Sequence, residues 1–563
     1  MAFKTVFSCV LLQCAFIAMA RSQTLYLTAT GFSDRETATI DSLGYQKVFS
    51  DYLSLQDETF LIKERLVNLG YIDCELKQLN KSNDSTYTVS FELNTLFKGI
   101  NIFFIESLPP EVLAPVSRKI DKNHIAIDIR DLESTLKLLN ERISEKGHPF
   151  ATLRLVNVEK SGRDSLRADL DINKRSEKRS VDSVIVKGYE KFPKSYIKRY
   201  LKLDAKQVFN LNAIKAKTSK IENLKFATQA KEPEVLFTRD STLIYIYIEK
   251  RPSNTFDGFL GFGTNENTDK IEFNGYLNLN LTNNLNFGES ISLQYKSDQS
   301  EQKTFDVKTD LPYLFGSPLG LELGLNIFKK DSSFVTVAQS AKINYQINTG
   351  HKVALGVDAI NSTDLLDSGV LDILDYKSSF YMMDYQFVET NRSSALFPIA
   401  FQAQLSGGFG SRSVENTKES QSKFVLVAER IFNLNDTNSI FVKLSGAALL
   451  SDSHLENELF RFGGINSIRG FEENSIVANL YSVLNTEYRF QMNSNLYAHT
   501  VFDTGYIENS TNGTKDKLFG FGFGFGLLTN AGLLKFNYAA GKINDAVLRL
   551  SNSKIHISLT ANF

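Results

Sequence analysis

The chain has 563 residues, and its 63 lysines and arginines against 64 aspartates and glutamates give a formal net charge of −1. The length exceeds that of one ordinary domain, and the balanced charge argues against a nucleic-acid partner. The negative mean hydropathy, −0.18, argues against a bundle of membrane helices, whereas 43 phenylalanines and 22 tyrosines could supply interfacial aromatic girdles.

The first twenty residues have the pattern of a secretory signal peptide. Lys4 supplies a positive charge, an apolar run covers Val6–Met19, and Ala18-Met19-Ala20 forms a small-x-small cleavage site. A short membrane anchor is one alternative. Lipidation of Cys14 is another, although the glutamine before it is larger than such sites accept. We expect residues 1–20 to direct export.

The remaining chain offers no pattern of catalytic or metal-binding residues. After loss of the signal, Cys74 is its one cysteine, so neither a disulfide nor a cysteine metal site can form within one chain. The six histidines lack metal-ligand spacing, and no nucleophile elbow occurs. We therefore expect no metal, no cofactor and no catalysis. No later apolar stretch reaches the roughly 18 residues of a spanning helix, so any membrane crossing would use strands.

Residues 23–251 carry a repeated α+β pattern. Two predicted helices end in glycines 77 residues apart, because glycine accepts the left-handed conformation at a helix end, and two strand-like runs follow each helix. The apolar faces and their glycines are Ile62, Leu66 and Leu69 before Gly70, and Leu132, Leu136, Leu139 and Ile143 before Gly147. A third unit has Leu224-Lys225-Phe226 where the glycine is expected. The pattern predicts β-α-α-β-β modules at 23–97, 98–176 and 180–251.

The order of elements and the Gly-aromatic turns resemble the polypeptide-transport-associated (POTRA) domain. A set of unrelated α+β domains is the alternative. The resemblance implies exposed sheet edges to which an extended client strand can add through backbone hydrogen bonds. The expected clients are unfolded outer-membrane or secreted proteins.

Past Pro252 the helical period gives way to alternation of apolar and polar residues. Leu319–Ile327 alternates strictly, and so does the final segment, Ile555–Phe563, which ends on an aromatic residue. A soluble sandwich also alternates, but the export signal and this ending favour an outer-membrane barrel, for whose insertion such a final strand resembles the recognition signal. At about ten residues per strand plus connections, residues 254–563 predict about sixteen antiparallel transmembrane strands.

A glycine-rich motif lies inside the predicted barrel. Gly463-Gly464 precedes Arg469-Gly470-Phe471, and the downstream segments contain Glu487 and Asp503. This order is similar to the POTRA-plus-barrel superfamily of assembly and secretion factors, the bacterial surface antigen family. The resemblance implies a loop folded into the lumen, where Arg469 pairs with Asp503, with Glu487 as an additional candidate. A bidentate cation–carboxylate contact would hold such a loop in register. A solvated Arg469 and an ordinary turn carboxylate are the alternative.

A second glycine run, Gly520–Gly526, superficially matches a dinucleotide-binding loop. It has no βαβ context and alternates strictly, so it predicts a tight barrel strand.

The resemblance leads to two functional hypotheses. The first is an assembly factor of the outer membrane, with periplasmic modules that receive precursors and a barrel that opens at a seam between its first and last strands. Gly258, Gly261 and Gly263 would weaken the first strand, and Phe563 ends the last. A barrel preceded by three modules most resembles the translocation-and-assembly (TamA) branch of this superfamily. Outer-membrane lipid is an expected partner, and an inner-membrane or periplasmic assembly protein a further one.

The second hypothesis is a two-partner-type secretion pore that exports one dedicated protein. Such pores usually carry two modules and an N-terminal plug helix with a linker, whereas three modules and no Pro-rich linker are predicted here. A receptor or passive porin is the remaining alternative, and it leaves the N-terminal modules unexplained.

Overall fold

The computed structural model describes residues 24–105, 110–113, 123–174, 177–264, 271–297, 302–366, 373–391, 394, 396–529, 532–548, 551 and 553–562. The expected signal peptide, 1–20, and the terminal Phe563 lie outside these residues. Within them, no helix combines the length and the apolar character that crossing a membrane requires.

The first module is a four-stranded sheet covered by two helices. Its elements are β1 (Leu25–Gly31), α1 (Asp34–Asp41), β2 (Val48–Phe49), α2 (Tyr52–Asn68), β3 (Glu75–Lys81) and β4 (Thr86–Glu92), with strand order β2-β1-β4-β3. Asp51 caps α2 by accepting a hydrogen bond from the Ser54 amide at 2.8 Å. Gly70, at φ +111°, follows the end of that helix in the left-handed conformation expected from the sequence. The apolar face of α2, including Ile62 and Leu66, is buried against the sheet.

The second module repeats this arrangement. Its elements are β5 (Gly99–Phe104), α3 (Pro110–Leu113), β6 (His124–Asp128), α4 (Leu132–Glu145), β7 (Thr152–Lys160) and β8 (Ser165–Asn173), with strand order β6-β5-β8-β7. Leu139 of α4 packs on Ile102 and Ala168 of the central strands, and all three are fully buried. Each side chain of leucine size buried in this way contributes about 1.5–3 kcal/mol to folding. Gly147, at φ +100°, follows α4.

The third module belongs to the same compact unit as the barrel, which comprises residues 181–207 and 212–563. Its elements are β9 (Ser183–Gly188), a π-helical turn (Tyr196–Tyr200), α5 (Leu211–Thr218), β10 (Ala227–Phe237) and β11 (Thr242–Lys250), with strand order β10-β11-β9. The Tyr196 hydroxyl donates to the carbonyl of Gly288, in a barrel turn, at 3.1 Å. A Cβ at Gly288 would collide with the Tyr196 ring, so glycine is required there for the module to pack on the barrel.

The barrel is a closed antiparallel sheet of sixteen strands, the number expected from the sequence. Its strands are β12 (Thr255–Thr264), β13 (Ile271–Thr282), β14 (Ser290–Ser297), β15 (Lys303–Leu311), β16 (Leu319–Lys330), β17 (Phe334–Gln346), β18 (His351–Asp364), β19 (Tyr376–Thr390), β20 (Ile399–Val414), β21 (Thr417–Asn433), β22 (Asn438–Leu450), β25 (Leu480–Gln491), β26 (Leu496–Asn509), β27 (Thr514–Thr529), β28 (Gly532–Ile543) and β29 (Lys554–Asn562). β23 (Phe460–Phe462) and β24 (Ile476–Ala478) pair separately as a small hairpin.

The two faces of the barrel wall have inverted polarity relative to a soluble protein. Val357 of β18 points outward and is 46% exposed, and its register partner on β19, Tyr381, is 79% exposed. On the opposite face Lys342 lies 2.6 Å from Asp384 and 3.7 Å from Asp358. An apolar outside and a paired, polar inside are what a transmembrane barrel requires, and they exclude the soluble sandwich.

Replacing Val357 by arginine should therefore destabilise the barrel. A cation on the lipid-facing side costs about 2–4 kcal/mol near the bilayer midplane. Urea unfolding in lipid vesicles, followed by the gel shift between folded and unfolded barrel, measures the change. Val357→Leu is the matched control and should unfold like the parent chain. Equal stability of the two variants would contradict an outward-facing Val357.

Candidate functional site

A long loop between β22 and β25 carries the glycine-rich motif. It spans residues 451–479 and contains the β23–β24 hairpin. Gly463, Gly464 and Gly470 adopt φ values of +128°, +85° and +90°, which side chains with a Cβ rarely adopt. The loop reverses direction at these glycines, and this places Arg469 against the inner faces of β25 and β26.

Arg469 and Asp503 form a buried, two-pronged contact. The Arg469 Nε lies 2.9 Å from Asp503 Oδ2, and Nη2 lies 2.6 Å from Oδ1. The Arg469 backbone amide also donates to Oδ2, at 2.8 Å. Asp503 is completely buried and Arg469 is 5% exposed. The carboxylate therefore fixes both the side chain and the main chain of the loop tip, an arrangement that lysine could not reproduce.

Glu487 extends this contact into a network. Its Oε1 accepts a hydrogen bond from Arg469 Nη1, and its Oε2 accepts one from Arg489 Nε at 2.8 Å. The Arg489 guanidinium in turn lies over the Phe441 ring, 4.0 Å from its centroid. Burial alone would lower the pKa of Arg469, but hydrogen bonds and charge from Asp503 and Glu487 outweigh it and raise that pKa above its ordinary value. The loop arginine thus stays charged.

Side chains of the wall also hold the loop backbone. Asn485 Nδ2 donates to the Ser467 carbonyl at 2.7 Å, and Lys443 Nζ donates to the Asn466 carbonyl at 3.0 Å. Ile468 is fully buried in an apolar cluster of loop and wall residues. The tip is therefore held by charge, by backbone hydrogen bonds and by apolar packing together.

Glycines in the wall make room for the tip. A Cβ at Gly520 of β27 would collide with the Arg469 carbonyl oxygen. On β28, a Cβ at Gly541 would lie 2.7 Å from the Gly470 carbonyl oxygen and 2.8 Å from the Phe471 ring. The glycine-rich strand predicted at 520–526 is part of β27, and its glycine at 520 lets the loop backbone approach the wall.

The closure between the first and last strands is short. Among the described residues, β12 pairs with β29 at two positions, Thr255 with Asn562 and Phe256 with Ala561. By contrast, β12 pairs with β13 over its whole length, and β29 pairs with β28 from Lys554 to Thr560. Gly258, Gly261 and Gly263 lie on β12 beyond the paired positions, where they were expected to weaken the strand. Phe563 lies outside the described residues.

The sequence of the barrel matches a known family. Residues 283–559 match the model of the Omp85 superfamily domain. Omp85 proteins lie in the outer membrane and handle protein clients there, and the family fold serves transport and assembly.

Solved structures show the same fold. BamA from Haemophilus ducreyi lacking POTRA domains 1–3 aligns with a TM-score of 0.51 and 14% identity, over 82% of this chain and 99% of that one. CdiB from Acinetobacter baumannii and CdiB from Escherichia coli each align with a TM-score of 0.53 and 13% identity, over 91% of this chain and 98% of theirs. No curated protein sequence matches the chain. The N-terminal α+β modules resemble POTRA domains.

Sequence reasoning singled out part of the loop site. It named Arg469, Gly470, Phe471, Glu487 and Asp503, and the structure brings Arg469 together with both carboxylates. It assigned no role to the residues that hold the loop backbone or to the second arginine of the network. Their side chains are ordinary lumen polar residues in the alternating pattern, and only strand register places them beneath the loop; they are Asn485, Lys443 and Arg489.

Asp503→Asn should loosen the loop and destabilise the barrel. Loss of one partner from a buried ion pair costs about 3–5 kcal/mol, because the other charge stays buried. Urea unfolding in vesicles measures the loss. Glu508→Gln is the control on the same strand: its ion pair with Lys515, at 3.2 Å, is exposed, and its removal should leave stability unchanged. An Asp503 variant as stable as this control would contradict the contact.

Gly520→Ala should disturb the tip without touching any charge. The added methyl group collides with the Arg469 carbonyl, and such overpacking costs about 1–3 kcal/mol. The measurement is protease protection of the loop together with urea unfolding. In the control, Gly407→Ala, the new Cβ meets its nearest neighbour, the Phe424 ring, at 3.4 Å, so protection should persist. Equal protection in both variants would show that the tip does not contact β27.

Proposed function

We propose that this protein is an assembly factor of the outer membrane. Its three N-terminal modules lie in the periplasm and receive unfolded precursors, and its barrel helps insert or translocate them. The observation that carries the proposal is the short pairing between β12 and β29. A passive pore has no use for an incomplete closure.

The short closure supports a reactive strand edge. Beyond Phe256, β12 continues for eight residues to Thr264 without a described partner on β29. Backbone amides and carbonyls facing hydrocarbon without partners cost several kcal/mol each. A client strand that supplies those hydrogen bonds is therefore stabilised at this edge, and adding strands there is a direct route for inserting another barrel.

The N-terminal modules support delivery of clients to that edge. The outer strands of the first module are β2 and β3, and those of the second are β6 and β7. Such sheet edges bind extended segments through the backbone, with little dependence on sequence. An export signal at residues 1–20 is consistent with modules that work in the periplasm. Three modules favour the translocation-and-assembly (TamA) branch of the family.

A two-partner-type secretion pore is the second candidate. The fold is as similar to CdiB as to BamA, so the fold does not separate the two functions. A secretion pore would pass its substrate through the lumen, where the loop now lies. An assembly factor would use the seam.

The seam can be tested by closing it. In a Cys74→Ser background, Phe256→Cys with Ala561→Cys places two thiols at paired positions across the seam. Expressed in cells depleted of the native protein, the oxidised variant should fail to restore the outer-membrane barrels, and reduction should restore them. The control is Phe256→Cys with Leu279→Cys, which joins β12 to its permanent neighbour β13 and should support growth.

The same cells discriminate between the two candidates. Under the assembly proposal, depletion lowers the amounts of many outer-membrane barrels. Under the secretion alternative, one secreted protein disappears while the barrels stay at normal amounts. A full set of barrels and secreted proteins after depletion would overturn both.

A further inference from the structure

We propose that the lumen loop has a second anchor, centred on Arg412, and that Arg412 is a positioning residue for the loop. The loop would then be held at its root as well as at its tip. This inference concerns the regulation of the barrel, and it rests on the proposed function insofar as the loop is taken to be a moving part.

Arg412 of β20 forms a second buried ion cluster with the root of the loop. Its Nη1 donates to Glu458 Oε1 of the loop, and its Nη2 donates to Glu419 Oε2 of β21. Nη2 also donates to Ser453 Oγ at 2.7 Å. The Arg412 and Glu458 side chains are each 4% exposed, as buried as the pair at the loop tip. At the root, the loop supplies the carboxylate and the wall supplies the arginine. At the tip, the loop supplies Arg469 and the wall supplies the carboxylate.

Neighbouring residues extend the second anchor over four adjacent strands. Gln421 of β21 donates to Glu458 Oε2 at 3.0 Å. Asn457 of the loop donates to Ser362 Oγ of β18 at 2.9 Å, and its carbonyl accepts from the Tyr376 hydroxyl of β19 at 3.3 Å. The root of the loop is thus attached to β18, β19, β20 and β21. None of these strands contributes to the Arg469 contact.

The strand order shows that the loop bridges the lumen. The Arg461 guanidinium lies over the rings of Phe328 on β16 and Phe334 on β17, at 5.9 and 5.3 Å. Eight residues later, Arg469 binds Asp503 on β26. In the closed order of sixteen strands β26 is eight positions from β16, which is the opposite side of the ring. The segment between these arginines therefore crosses from wall to wall.

The two anchors hold the loop independently of each other. The two clusters share no residue, so loss of one leaves the loop attached at the other. Full release of the lumen requires both to break. The described geometry therefore favours a barrel that keeps its lumen blocked while the seam works, and the second anchor sets how often the lumen opens.

Single-channel conductance in planar lipid bilayers tests this on the purified full-length protein. Arg412→Gln and Asp503→Asn should each raise the frequency of channel opening several-fold, and the double variant should exceed either one by at least tenfold. Arg430→Gln is the matched control, because Arg430 is an exposed arginine on β21, and it should conduct like the parent. The gel shift of the folded barrel identifies variants that fail to fold.

A reversible cross-link separates an anchoring role from a merely structural one. In a Cys74→Ser background that carries Asp503→Asn, the pair Asn457→Cys and Ser362→Cys ties the loop root to β18. Oxidation should reduce openings to the parental frequency, and reduction should restore them. This readout requires no client, so it stays informative if the depletion experiment overturns the assembly proposal.

Two results would overturn the second anchor. One is parental conductance of folded Arg412→Gln while Asp503→Asn opens the channel. The other is a complete cross-link between 457 and 362 that leaves the opening frequency of Asp503→Asn unchanged. Either result would mean that the loop is held at its tip alone.

Discussion

The structure depends on the need of every backbone amide and carbonyl for a hydrogen-bond partner where no water is present. In hydrocarbon this need is met by a sheet that closes on itself, and sixteen antiparallel strands do so here. Closure creates an inside and an outside, and strand alternation then sends apolar residues to lipid and charged residues to the lumen. The seam is where the requirement is met least well. Everywhere else in the ring, neighbouring strands are paired. Fourteen of these junctions join strands that follow one another in the chain, and one more joins β22 to β25, where the loop leaves the wall.

The loop inside the lumen has an electrostatic requirement of its own. The loop enters it with a buried arginine at its tip and a buried glutamate at its root, and each meets an opposite charge on the wall. Burying an ion is unfavourable unless its partner and the surrounding hydrogen bonds are already in place. The strands supply these partners, since Asp503, Glu487 and Arg412 lie on β26, β25 and β20. Glycines complete the fit: Gly470 in the loop and Gly520 and Gly541 in the wall allow the backbones to approach.

Several elements were predictable because their physical cause is local. Gly70 and Gly147 mark helix ends, since a left-handed residue is needed there whatever the surroundings. Alternation over stretches such as Leu319–Ile327 predicts strands buried on one side, and the number of strands follows from length. Arg469 and Asp503 could be paired in advance by resemblance to a family motif. Arg412 and Lys443 could not, because a single polar residue in an alternating strand looks the same whether it contacts a loop or water.

The sequence by itself therefore determined the division into α+β modules and a barrel, the number of strands, and the candidate residues of the loop tip. These follow from periodicity, from glycine conformation and from short motifs, all of which act over a few residues. Tertiary structure alone decided which wall strands receive the loop, that its root has its own ion cluster, and that the described residues of β12 and β29 pair at two positions. Those features depend on strand register around a closed ring, where residues far apart in sequence become neighbours through the accumulated pairing of every strand between them.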